Sequence, residues 1–287
     1  MKKIKSILLC IFCVIAAAMI AIAVHAFLPS PGATVDVASF DSILVKKFSF
    51  PIVASAYFVI LYLHILIVIR YFGSRTVINN KEMGLRFSLA FALIYLVGMQ
   101  EVVVSASPIH EYGVDYVLYQ LFMGLGDAIP VIILCVIVSR FTLKTIKTEK
   151  LDRKPCVKEK VLVVSVITAL FFIERVIGYV IGYLDSDIEE YPIPVIIWTL
   201  VFGITLGCAY LLIRPIYNSE KGGIITVQIV IFSLGINWIW FNSFMGLILK
   251  DTIGQMLLRS GIDVIIMGAG VWITSALIFK IRKVRKN

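Results

Sequence analysis

The stretch Val161–Leu184, VLVVSVITALFFIERVIGYVIGYL, has the length and apolarity to cross a hydrocarbon layer of ~30 Å, yet Glu174 and Arg175 sit side by side within it. Charged groups at that depth are costly, so each needs an opposite charge, a proton or water. The remaining apolar stretches are therefore read as walls and partners for this pair.

Composition supports the membrane reading. Of 287 residues, 60% are hydrophobic and 16% charged, and the mean hydropathy is +0.97. A soluble domain of this length has too little interior for so many apolar side chains. The net charge of +9 does not point to nucleic acid. The charges fall in short clusters between apolar runs of roughly 20 residues, the length of a membrane span.

Eight spans are expected, near 7–28, 51–72, 85–107, 116–139, 161–184, 192–213, 224–249 and 262–279. They form one all-α, polytopic helix bundle over 1–287, with no soluble domain. The first has a basic start and a small-residue end at Val24-His25-Ala26, as a signal peptide would. Its apolar part is longer than such peptides use, so it is read as a retained helix; cleavage would leave seven spans. Of the 27 Lys and Arg residues, 22 fall on one side of this arrangement. Lys46, Lys47, Lys250 and Arg259 lie opposite, and so does the acidic loop Leu184–Tyr191. By the positive-inside rule both termini are cytoplasmic and the protein is integral to a cell membrane. The segment Arg140–Lys160, RFTLKTIKTEKLDRKPCVKEK, is the most basic. It reads first as a topology anchor and second as a contact for anionic lipid headgroups.

Helical spacing orients the polar residues inside the spans. Gly98, Glu101 and Ser105 share a face, as do Tyr116, Gln120, Gly124 and Asp127. Glu174 lies above Gly178 and Gly182, a G-x-x-x-G ridge expected to face a close neighbour, and Gly203 and Gly207 form a second ridge. Asn237 and Asn242 mark two faces of the seventh span, and Asp263 opens the eighth. Counted from the cytoplasmic ends, Glu101 lies at ~24 Å and Glu174 and Asn237 at ~20 Å, with Asp127 near the midplane. These groups predict a polar site in the middle to outer half of the bilayer, in a cavity opening away from the cytoplasm. Three carboxylates, Glu101, Asp127 and Glu174, against Arg175 leave negative charge in excess, so one acid is expected to hold a proton or cation or to meet a cationic ligand.

Gly124-Leu125-Gly126-Asp127 precedes Pro130, which is expected to kink or break the helix beside the acid. The four residues resemble the G-x-G-D signature of intramembrane aspartyl proteases and prepilin peptidases. That resemblance implies a second Asp in another span, and only Glu101 and Glu174 stand in for it here. Other chemistry lacks its motifs. The three histidines, His25, His64 and His110, form no H-E-x-x-H, and there is no phosphate loop and no G-x-S-x-G. His64 reads as a packing residue, and Cys10 and Cys13 as small apolar fillers. No cofactor and no metal are expected.

The first reading is a permease-like protein binding or transporting a small solute, coupled to a proton or cation, with enzyme activity left open. Its candidate site residues are Glu101, Asp127, Glu174, Arg175, Gln120, Tyr116, Asn237 and Asn242. The alternatives are a membrane-embedded enzyme acting on a lipid or peptide, or a non-catalytic membrane partner protein.

Overall fold

The computed structural model describes residues 2–27, 40–103, 113–143, 156–216 and 223–284. Eight helices are long and apolar enough to span a membrane, as a polytopic helix bundle requires. They are α1 (Lys2–Phe27), α3 (Phe50–Gly73), α4 (Asn80–Gly98), α5 (Gly113–Phe141), α6 (Val157–Ile181), α7 (Pro192–Ile213), the pair α8 (Gly223–Val230) and α9 (Ile236–Ile248), and α10 (Ile253–Val284). A short helix α2 (Ile43–Phe48) precedes α3. It is held to the end of α9 by Ser42, whose N–H donates to the Ile248 carbonyl and whose hydroxyl donates to that of Leu247.

The bundle is two packed groups joined through its middle. α1 lies along α3 and α5, and α5 lies along α4; on the other side α6 lies along α7 and α10. α4 also packs on α7, and α9 touches both α3 and α10. Small side chains set these approaches. One stripe of α1, Cys10, Cys13, Val14, Ala17, Ala18 and Ala21, is buried, so the two cysteines are indeed packed fillers. Gly203 and Gly207 press α7 onto α6, where an added Cβ would lie 3.2 Å from the Thr168 Cα and 2.9 Å from the Val164 Cα. The sixth-span ridge is thus a helix-packing surface.

The expected ridge in the fifth span is not. Gly182 takes φ +82° as the cap of α6, and a Cβ there would meet nothing within 4 Å. A Cβ on Gly178 would meet Leu184 and Tyr183 of the following turn. The N–H groups of Gly182 and Leu184 both donate to the Gly178 carbonyl, so these glycines close a helix end and seat no neighbouring helix.

Three local features add to the expected spans. α5 continues through Pro130 without a break. α10 begins nine residues before the expected start, which places Arg259 inside a helix. Between α8 and α9, Ile231–Gly235 forms a π turn. Such a turn widens the ring of hydrogen bonds and frees a carbonyl for another donor. The Phe232 carbonyl receives it, 3.1 Å from Nε2 of His64.

Candidate functional site

Glu101 follows α4 in a 3-10 turn, Met99–Val103, and points at the start of α10. There it meets Arg175, all three of whose nitrogens donate hydrogen bonds. Nε and Nη2 donate to the two oxygens of Asp263 at 2.7 and 2.6 Å, and Nη1 donates to Glu101 Oε1 at 2.8 Å and to the Tyr179 hydroxyl at 3.3 Å. Phe171 and Trp198 flank the same cation, with ring centroids at 5.2 and 5.6 Å. Arg175 is 0% exposed.

α9 adds two neutral ligands. Trp238 Nε1 donates to Asp263 Oδ2 at 2.9 Å. Asn242, with its amide oriented by the surrounding hydrogen-bond network, donates to Glu101 Oε2 at 2.8 Å and accepts from Trp238 at 3.2 Å. Gly98 makes room, since a Cβ there would lie 2.6 Å from the Trp238 ring.

The fourth charge is Arg259. Its Nη2 donates to the Asp185 carbonyl at 2.6 Å, tying the helix to the loop after α6, while Nη1 stands 3.5 Å from Glu101 Oε1. Its Nε is buried without a hydrogen-bond partner. Two carboxylates, Glu101 and Asp263, therefore face two guanidiniums, Arg175 and Arg259, and the cluster is neutral. The expected excess of negative charge does not arise within this cluster. By sequence Arg259 falls between spans and Asp263 at a helix start, so neither enters the expected charge balance.

Glu174 and Asn237 make their hydrogen bonds away from the four charges, although Glu174 lies within electrostatic reach of Arg175 and Asp263. Glu174 projects from the adjacent face of α6, is half-buried, and accepts from the Tyr183 hydroxyl at 3.1 Å. Asn237 accepts from Tyr95 Oη at 2.7 Å, and its amide nitrogen lies 3.4 Å from His64 Nδ1, so it belongs to a buried chain Tyr95–Asn237–His64 that ends at the π turn. Gln120 is buried on α5. The side chain of Tyr116, like Ser105, His110 and residues 144–155 of the basic segment, lies outside the described residues.

Asp127 is separate again. It is 2% exposed, and His25 of α1 faces it, Nε2 to Oδ1 at 3.6 Å. Neither Glu101 nor Glu174 faces it: both engage the α6 side of the bundle. The arrangement is not a paired-carboxylate dyad, and the likeness to aspartyl proteases stops at four residues. The two glycines of that motif admit neighbouring helices instead. A Cβ on Gly124 would lie 3.0 Å from the Leu96 Cα, and one on Gly126 would lie 2.8 Å from Val24 Cγ1.

Among the described residues the polar side chains thus form three groups and do not converge on one site. Beside Asp263 a void of about 10 Å³, lined by Ile94, Leu206, Leu234, Trp238, Val264 and Met267, is at the lower limit for one water. Among the described residues no group of three or more His, Cys, Asp or Glu side chains is arranged to hold a metal. No family model, no curated protein and no solved structure matches the chain.

Proposed function

We propose that the chain is a permease-like protein of a cell membrane, both termini cytoplasmic, that binds a small polar solute and couples it to a proton or cation. The single observation that carries this is the neutral cluster of four buried charges. Buried ion networks are weak stabilisers, and apolar side chains of the same volume often hold helices together as well or better. A cluster assembled from α6, α10 and the turn after α4 is therefore better accounted for by a task than by adhesion.

Within it, Arg175 and Asp263 form the fixed half. Arg259 and Glu101 form the exchangeable half, because their contact is long and the Arg259 Nε is unfilled. A solute arriving from the loop after α6 would replace Arg259 on Glu101, or Glu101 on Arg259, and Asn242 would follow. Glu174, Gln120, Tyr116 and Asn237 are assigned to the walls of the path, and the 140–160 segment to anionic headgroups of the inner leaflet.

The test is uptake into liposomes loaded with a pH-reporting dye, using a panel of amino acids, dipeptides, sugars, organic acids and amines. One class should enter with a dye signal in the wild type and not in Glu101→Gln, with both proteins folded. If no class enters and Glu101→Gln merely melts lower, the permease reading is lost. Conversion of a lipid or peptide without accumulation would support the membrane-enzyme alternative in its place.

A further inference from the structure

We propose that His25 and Asp127 form a proton-binding site that clasps α1 to the body of the bundle. As the coupling site of a permease it deepens the reading above and rests on it; as a proton site it stands on its own geometry.

That geometry has three parts. Asp127 is nine-tenths buried or more, and its Oδ1, which faces His25 Nε2 at 3.6 Å, has no hydrogen-bond partner; neither has His25 Nδ1. The imidazole is held flat against Phe58 of α3, with ring centroids 5.2 Å apart at 20°, so its edge is aimed. Gly126, one residue before the acid, would place a Cβ 2.8 Å from Cγ1 of Val24, the neighbour of His25, so the close seating of α1 beside the acid uses the missing Cβ.

The remaining groups near Asp127 are neutral. Tyr57 and Tyr62 from α3 and Tyr95 from α4 are its titratable neighbours, and Tyr62 donates to the Asp127 backbone carbonyl at 3.4 Å. Among the described residues no Lys or Arg pairs with it. With no proton on the pair, the site carries one uncompensated negative charge in a low-dielectric interior. With one proton shared between Nε2 and Oδ1, it is neutral overall, either as imidazole and carboxylic acid or as imidazolium and carboxylate. The bond formed is N–H or O–H, the proton comes from water, and nothing is oxidised or reduced. The donor set does not suit a metal, because two side chains ringed by phenols supply too few ligands.

The experiment is a pH titration of the full-length protein in detergent, selectively labelled with ¹⁵N-histidine, with His25→Gln used to assign its ring among the three histidines. In the wild type the His25 ring should titrate with a midpoint that moves by on the order of one pH unit in Asp127→Asn. Gly126→Val, which removes neither group but pushes α1 away, should move it in the same direction. If Asp127→Asn does not fold, Gly126→Val and Asp127→Glu carry the comparison. A His25 midpoint unchanged in every folded variant overturns the proposal. A coupled titration in a protein that takes up no solute keeps the proton site and removes only its role in transport.

Discussion

Arg175 of α6 and Asp263 of α10 meet side-on, with two parallel hydrogen bonds of 2.7 and 2.6 Å, 88 residues apart in the chain. A bidentate contact of this kind fixes the rotation of both helices at once, because each guanidinium edge matches one carboxylate edge. Nη1 of the same guanidinium turns to Glu101, in the turn that follows α4.

Breaking this pair from one side should be far worse than removing it. Asp263→Asn leaves Arg175 with too little countercharge, and an expected loss of about 3–5 kcal/mol follows from such truncations. Arg175→Met combined with Asp263→Leu leaves Glu101 opposite Arg259, still neutral, and should recover most of that loss. Denaturation in detergent, comparing the single and double variants, decides it. A double variant as unstable as the single would mean that the pair itself holds the fold.

Arg259 should behave as a tether of the loop after α6. A charged donor on a backbone carbonyl is worth roughly 1.5–3 kcal/mol, so Arg259→Met should speed amide hydrogen exchange in residues 183–191 by about tenfold or more. The middle of α6 should exchange as before. Uniform acceleration across both segments would show that Arg259 supports the whole bundle instead.

The chain Tyr95–Asn237–His64 predicts coupled costs. Asn237→Leu strands a buried hydroxyl and an imidazole nitrogen, at an expected cost of about 1–3 kcal/mol. Once Asn237 is gone, Tyr95→Phe should cost less than it does alone, because the hydroxyl it removes is already unsatisfied. Additive losses would argue against a shared chain.

Two helical glycines should respond oppositely. Gly207→Val puts carbon onto the Val164 backbone of α6, and overpacking of this kind typically costs about 1–3 kcal/mol. A Cβ on Gly261 would meet nothing within 4 Å, so Gly261→Ala should be neutral or stabilising by up to about 1 kcal/mol. Melting temperatures of the two variants give the comparison directly.

Much of this was legible before any coordinates. Eight spans follow from apolar length and from the spacing of Lys and Arg, both set by the bilayer and not by tertiary detail. The buried carboxylates Glu101 and Asp127 and the packing glycines Gly203 and Gly207 were likewise visible as polar or small residues at helical spacing. Partnership was not. Arg259 sits in QMLLRSG, a stretch polar enough to pass for a loop until Glu101 and the Asp185 carbonyl are seen to satisfy it. His25 closes the first span in sequence, and nothing local ties it to Asp127, because the contact depends on how α1 lies across Gly126. The π turn at Ile231–Gly235 leaves no composition signal either; its reason is a histidine on another helix.

The pairing of Arg175 has an electrical consequence. Every N–H of its guanidinium that reaches Asp263, Glu101 or Tyr179 is already spent, and the neighbouring void is no larger than a single water. Two guanidiniums and two carboxylates set this close cancel one another's field over a short distance, so the rest of the bundle faces a near-neutral knot and not four separate charges.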